Sequence, residues 1–407
     1  MARRALALAA ALAGLAGLAC LVPAAGAADP ARTPVVVVVF DEFPAASLLD
    51  RHGDLDVGRF PGFAAFARSS TWFSDTTTVA DGTRWAAPAL LGARYPDRLR
   101  MPAWFDHTPN LITLLARTHR VRVTEPVTRL CPPAVCRREL PGRTRGERAR
   151  ALTELIPRAK RAAAERSALA RWIRRIQPWR RGRPPLYVIH VLLPHHPWMW
   201  RPDGRRYPLP SPAMPGLLGD NMWGGDADLV DQGWKRHLLQ VGYTDRLVRR
   251  LIRRLRRVGL WDRALVALVA DHGASFVPGH SRRSATPATV GGIAPVPFFV
   301  KAPAQRRGLR YDFHVETVDV LPTLLAALGM PLRGDLEGRP ALVPGYAPRD
   351  RVDLWATTSV LGFGHRSYPL AAVHRATRRV LARQHARFGS GPMTGRFWAD
   401  PFAPVRR

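Results

Sequence analysis

The stretch TPVVVVVFDEFP, Thr33 to Pro44, sets five valines and a phenylalanine in a row and then stops on Asp41 and Glu42. A continuous β-branched run of this kind suits a strand buried on both faces, the mark of a central parallel strand. The same design returns in LVALVADHGASFVPGH, Leu265 to His280, where the apolar run ends on Asp271 and His272 with Gly273 behind them. LYVIHVLLPHHPW from Leu186 and VPFFVKAPA from Val296 share the shape. Between such runs lie helical patterns: Leu247, Val248, Leu251, Ile252 and Leu255 fall on one face, while Arg249, Arg250, Arg253, Arg254, Arg256 and Arg257 turn to solvent. Strands alternating with helices predict an α/β fold, a largely parallel central sheet flanked by helices.

With 407 residues, 46% of them hydrophobic, the chain can bury a large core. The strong strand pattern occupies 33–331, interrupted by an Arg-rich helical insertion over about 143–180. Its apolar positions are Leu152, Leu155, Ile156 and Ala159, then Leu169, Trp172, Ile173 and Ile176. A solvated helical insertion is the expectation, a cap over the site rim the alternative. Residues 332–407 lose the strand pattern and read as a small C-terminal addition. No internal repeat is evident.

The first 28 residues carry Arg3 and Arg4, an uncharged run from Ala5 to Ala28 and the small-x-small triplet Ala25-Gly26-Ala27, the form of a secretory signal peptide. The alternative is a retained membrane anchor, since the run is just long enough to span. Export to the cell envelope or beyond is therefore expected, with membrane association possible through this end. Past Cys20 only Cys131 and Cys136 remain, in LCPPAVC, and such a pair in an exported chain reads as a local disulfide.

The formal net charge is +31, and of the 62 basic residues only Lys160, Lys235 and Lys301 are lysines. That arginine bias, with abundant Ala and Pro, points to composition more than to a dedicated polyanion site. No helix-turn-helix, zinc-finger, RRM or KH pattern accompanies the charge, so nucleic acid is not an expected partner. An anionic envelope surface or substrate remains compatible with it.

Ligands of open parallel sheets bind at the carboxyl ends of the strands. Asp41, Glu42, Asp271 and His272 all sit at such ends, after runs that tolerate charge only where something pairs it. One divalent cation would pair all four, and carboxylate and imidazole donors suit Zn, Mn, Mg or Ca. Each alone reads equally as a cap; the metal reading rests on the group.

VVVVFDE, TRWAAPALLGARYP from Thr83, ADHG, VPFFVKAP and VDVLPTLLAALG together resemble, in that order, the landmarks of the alkaline phosphatase and sulfatase superfamily, over about residues 34–330. The resemblance implies that Asp41 and Glu42 bind metal with Asp271 and His272, and that the nucleophile stands at the start of the second motif. Sulfatases that use formylglycine have Cys or Ser there; this chain has Thr83, followed by Arg84. A metal-bound Thr is what the phosphotransferring branches use, among them lipoteichoic acid synthases and phosphoethanolamine transferases. Metal coordination would lower the pKa of its hydroxyl and stabilise charge on the transferred group. A second metal site in the bimetallic branches needs Asp and His four residues apart, and the nearest analogue here, Asp245 with Arg249, offers a cation instead, so one metal is expected.

The resemblance also implies that His195 or His196 contacts the leaving-group oxygen, and His280, Lys301 and Arg84 are candidates for contacts with phosphate or sulfate. Trp198, Trp200 and Trp223 read as core packing, with a sugar- or lipid-lining groove as the alternative. Three functions stay open: an exported metal-dependent hydrolase or transferase of phosphate esters or phosphodiesters, on an envelope lipid, glycopolymer or small ester; a sulfuric ester hydrolase; and a non-catalytic binder of anionic envelope polymer.

Overall fold

The computed structural model describes residues 29–399 except 98, 138, 155–167, 208–213, 220 and 359–361. The predicted leader therefore lies outside the described residues, as do Leu155, Ile156 and Ala159 of the insertion. A 7-stranded sheet is built from β1 (Val35–Asp41), β2 (Thr71–Phe73), β3 (Arg120–Thr124), β4 (Pro185–Pro194), β5 (Leu265–Ala270), β6 (Phe298–Lys301) and β7 (Leu309–Tyr311). Their order is β7-β2-β6-β5-β1-β4-β3. Only β6 runs against the others, being antiparallel to both β5 and β2.

The valine run behaves as its chemistry demands. Successive side chains of a strand point to opposite faces, so Val36, Val38 and Phe40 enter one core and Val35, Val37 and Val39 another. The first core is closed by α1 (Pro61–Ala67) and α4 (Ala227–Arg257), which contribute Phe63, Phe66, Leu247 and Leu251. The second is closed by α2 (Thr83–Gly92) and α5 (Val320–Ala327), through Leu90, Leu91, Leu321 and Leu324. Fully burying a Val or Leu side chain is worth about 1.5–3 kcal/mol, which is why β1 sits at the centre and not at an edge. On α4 the six arginines between Arg249 and Arg257 are exposed or half-buried as the spacing predicts, whereas Arg236 is buried, and Asp226 caps the helix start by accepting from Asp228 N (2.9 Å) and Leu229 N (3.1 Å).

The second half of the insertion, α3 (Ala168–Arg175), buries Leu169, Trp172 and Ile173 in the first core and leaves Arg171, Arg174 and Arg175 exposed. One expectation changes. The C-terminal residues form an antiparallel hairpin, β8 (Arg351–Thr358) with β9 (Gly362–Pro369), and a 19-residue helix, α6 (Leu370–Phe388). The strand pattern is present there in another form. Val352, Leu354 and Ala356 are buried and alternate with exposed or half-buried neighbours, the signature of a one-faced antiparallel strand and not of the continuous runs that mark the sheet. Val352, Leu354, Val373 and Ala376 then pack on Val290, Ile293 and Ala294. Cys131 and Cys136 are joined by a disulfide. No helix among the described residues is long and apolar enough to cross a membrane.

Candidate active site and metal centre

Because β1 and β5 are parallel neighbours, with Phe40 opposite Ala270, their carboxyl ends open at the same place. Backbone bonds lace those ends together: Asp271 N donates to Phe40 O (3.0 Å) and Phe43 N to His272 O (2.7 Å). Asp41, Asp271 and His272 are fully buried there, and each offers a ligand atom within 4.8 Å of the others. Gly273 is dictated by the same crowding, since a Cβ on it would stand 2.2 Å from Gly292 O.

Thr83 begins α2 with Gly82 as the N-cap residue, and its hydroxyl reaches this group. Its Oγ1 lies 3.2 Å from Asp41 Oδ1 and 3.2 Å from His272 Nε2. The His272 tautomer follows from its other nitrogen: Nδ1 faces only a carbonyl, Gly273 O at 2.9 Å, and must donate to it. Nε2 therefore carries a lone pair aimed at the cluster, and burial keeps the ring neutral by pushing its pKa down, against the opposing charge of Asp271. Arg283 donates to that nitrogen at 2.9 Å.

The donor set fits a divalent cation on two grounds. Asp271 Oδ2 is buried with no hydrogen bond among the described residues, 3.6 Å from His190 Nε2 and 3.7 Å from His272 Nε2. Two carboxylates and a neutral imidazole with its lone pair inward also make a hard-to-borderline O/N set. Asp41, Asp271 and His272 would hold such an ion, with the Thr83 hydroxyl beside it.

Glu42 does not join this group, a correction to the expectation that grouped it with the ligands. It leaves β1 with a left-handed φ of 59°, and its carboxylate pairs with the buried Arg282. Its Oε2 also lies 3.4 Å from His195 Nε2 and accepts from His196 N at 3.3 Å. Of the two histidines it is thus His195 whose ring faces a carboxylate, while His196 packs edge-on against Trp198.

The three candidate anion contacts fare differently. Lys301 is corrected: β6 runs opposite to β5, so Lys301 pairs with Val266 near the start of β5, away from Asp271. There it is buried against Trp261, and burial pulls its pKa down to about 8. Arg84 stands exposed beside Thr83, over the Trp85 ring and against Met101 Sδ. His280 lies on the loop that supplies Arg282 and Arg283, and its carbonyl accepts from Trp223 N (3.0 Å). Trp198 and Trp223 are core residues, stacked on one another. Asp245 is spent on a neighbouring helix: its Oδ1 accepts from Phe63 N of α1 at 2.7 Å.

The sequence reading passed over three residues of this site. His190 sits at 3.7 Å from Asp41 Oδ2 and 3.6 Å from Asp271 Oδ2. Burial works against its charge, but the carboxylates of Asp271 and Asp41 outweigh that and raise its pKa. Its signal was visible, a lone imidazole inside an apolar strand, opposite Val39. Arg282 and Arg283 had no such signal, being two arginines in an arginine-rich chain.

The sulfatase family model matches residues 159–330. Over the whole chain the fold is similar to a putative sulfatase from Bacteroides thetaiotaomicron, at 13% identity and a TM-score of 0.57, covering 87% of this chain and 91% of that one. It is also similar to a phosphonate monoester hydrolase from Silicibacter pomeroyi (15% identity, TM-score 0.53, 87% and 95% covered). A phosphonate monoester hydrolase of Agrobacterium radiobacter is comparable (16%, 0.52, 87% and 93%). No curated protein matches the sequence. The family match over residues 159–330 and the shared fold make the chain similar to the sulfatases and to the phosphonate monoester hydrolases.

Proposed function

We propose that this protein is an exported, metal-dependent hydrolase or transferase of phosphate esters or phosphodiesters, with Thr83 as nucleophile. The observation that carries the reading is the Thr83 hydroxyl, 3.2 Å from both Asp41 Oδ1 and His272 Nε2 at the start of a helix. A formylglycine cannot be made from threonine, which is what separates this reading from a sulfatase.

In this reading Asp41, whose Oδ1 the Thr83 hydroxyl already faces at 3.2 Å, takes the Thr83 proton as Oγ1 bonds to phosphorus and the ester P–O bond breaks. His195, oriented by Glu42, gives a proton to the departing oxygen. Water, or an acceptor hydroxyl in a transferase, then cleaves the phospho-threonine and restores the hydroxyl. Arg283, which reaches His272 Nε2, and the positive end of the α2 dipole would offset charge on the oxygens of the transferred group. A bound divalent ion would lower the Thr83 pKa and offset charge on that group. Zn, Mn, Mg and Ca all fit the donors.

The predicted leader and the Cys131–Cys136 disulfide support export, and the net charge of +31 favours an anionic substrate, on an envelope lipid or glycopolymer. The test compares turnover of an aryl phosphate diester, an aryl phosphate monoester and an aryl sulfate by metal-loaded enzyme and by Thr83→Ala. Phosphate turnover lost in the variant, with metal content retained, is expected. Preference for the sulfate would make the protein a sulfatase, and an active Thr83→Ala would remove Thr83 from the mechanism. No turnover with any ester, beside chelator-insensitive binding of anionic polymer, would make it a binder.

A further inference from the structure

The parallel strands that carry the site at their carboxyl ends begin together at the opposite end of the sheet. Leu265 N of β5 donates to Pro34 O (2.9 Å), His119 Nε2 lies 2.9 Å from Thr33 O, and Arg120 N of β3 donates to Pro184 O (2.8 Å). The segments leading into β4 and β5 adjoin there. Arg254 Nε of α4 donates to Ile176 O (2.9 Å), and Arg263 Nη1 donates to Trp179 O (3.1 Å) with its guanidinium 4.5 Å from the centre of that ring.

These two segments, 168–183 and 246–263, hold fourteen arginines and one carboxylate, Asp262, in a chain of 62 basic and 31 acidic residues. Arginine bias alone would leave the carboxylates interspersed; here they are all but excluded. Arg180, Arg181, Arg257 and Arg263 are exposed and form no ion pair among the described residues. Like charges crowded in this way repel one another, a cost that an anionic surface removes. Two further features say which anion. Thr33 and Pro34 are where the chain enters β1, so the uncharged run of the predicted leader, which ends at Ala28, joins the fold at this end. Trp179 stands half-buried among the arginines, and tryptophan beside arginine suits the headgroup layer of a bilayer.

We propose that this end of the sheet docks on an anionic lipid bilayer. The 7 residues of β1, at about 3.3 Å each, then hold the Thr83 cleft about 20 Å from the headgroups and opening away from them. Of the substrates proposed above, that orientation favours a glycopolymer over a lipid still in its bilayer, a consequence that rests on the catalytic reading. The docking itself does not rest on it. Thr83→Ala is expected to bind vesicles as the parent does, so failure of the one and failure of the other are separable.

The test is co-sedimentation with phosphatidylcholine vesicles, either plain or with about one-third phosphatidylglycerol. It uses residues 29–407, the form without the leader, which keeps every described strand and both cores of the sheet. Binding is expected to the anionic vesicles alone and to weaken as salt is raised. Arg180→Gln, Arg181→Gln and Arg257→Gln combined should weaken it by about a hundredfold, at about 1 kcal/mol per arginine near the surface. Arg375→Gln, Arg378→Gln and Arg379→Gln combined remove the same charge from α6, which packs on Gly291 near the site, and should leave binding within about threefold of the parent. All six positions are exposed, so both combinations should melt with the parent. A lipid with a spin-labelled headgroup should quench the parent's fluorescence more than that of Trp179→Phe. Equal loss in the two combinations would reduce the attraction to net charge and overturn the proposal. It is overturned as well by equal binding to plain vesicles, by quenching that Trp179→Phe leaves intact, or by no binding to the anionic vesicles, whether or not a soluble polyanion such as heparin binds instead.

Discussion

Three carboxylates, Asp41, Glu42 and Asp271, are buried at the strand ends, and they are tolerated for two different reasons. Asp41 and Asp271 face the imidazoles of His190 and His272, whereas Glu42 faces Arg282, a cation that burial itself disfavours. Removing one partner of a buried pair strands the other. Arg282→Met is thus expected to lower stability by about 3–5 kcal/mol, and adding Glu42→Gln should recover part of it, as read from urea unfolding of the single and double variants. His190→Ala removes the imidazole that stands 3.7 Å from Asp41 Oδ2 and 3.6 Å from Asp271 Oδ2, and metal affinity is expected to drop about 10–100-fold, as for other groups that orient ligands. Much of this site was legible: Asp41, Asp271 and His272 end apolar strands, and Thr83 opens the second motif. Glu42 was misread because its left-handed φ of 59° and its pairing with Arg282 leave no mark in the sequence. Arg282 and Arg283 were beyond reach, because a long-range partner of an isolated carboxylate is set by packing and leaves no local pattern.

At the scale of elements the site depends on close backbone approaches that admit no side chain. Gly273 against Gly292 is the tightest of those near the ligands, and Gly273→Ala is expected to cost about 1–3 kcal/mol as an overpacked position and to lower metal occupancy, measured by elemental analysis of the folded variant. The hairpin adds a second constraint, since Trp355 N donates to Val79 O (2.9 Å) and Asp81 N donates to Trp355 O (3.0 Å), just ahead of Thr83. The long buried strands β1, β4 and β5 were legible because both faces demand apolar side chains. The three-residue strands β2 and β7 were not, as such short segments carry too few residues to show any period. The reversed direction of β6 was equally hidden: an apolar run does not state which way it points, and the error over Lys301 follows from that.

For the molecule as a whole, buried titratable groups pull stability in opposite directions with pH. His237 is buried and neutral, its pKa pushed from 6.5 down to about 3 by burial, so the unfolded chain binds the extra proton and stability falls as the pH drops through that window. Asp245, raised from 3.8 to about 6 by burial, and Glu316, raised from 4.5 to about 7 chiefly by burial, hold protons more tightly when folded. Their contribution therefore falls as the pH rises through those ranges. Melting temperatures from pH 3 to 8 should show His237→Gln losing less stability on acidification than the parent. Asp245→Asn should flatten the decline between about pH 4 and 6. The joining of C-terminal to central residues has a further consequence, for the order of events during synthesis. The proposed ligands are all made by residue 272, yet the segment before Thr83 is gripped by Trp355, and Ala376 of α6 packs against Gly291. A growing chain thus carries a full set of donors for some hundred residues before the scaffold that fixes them has emerged, and its centre is completed only as α6 is released.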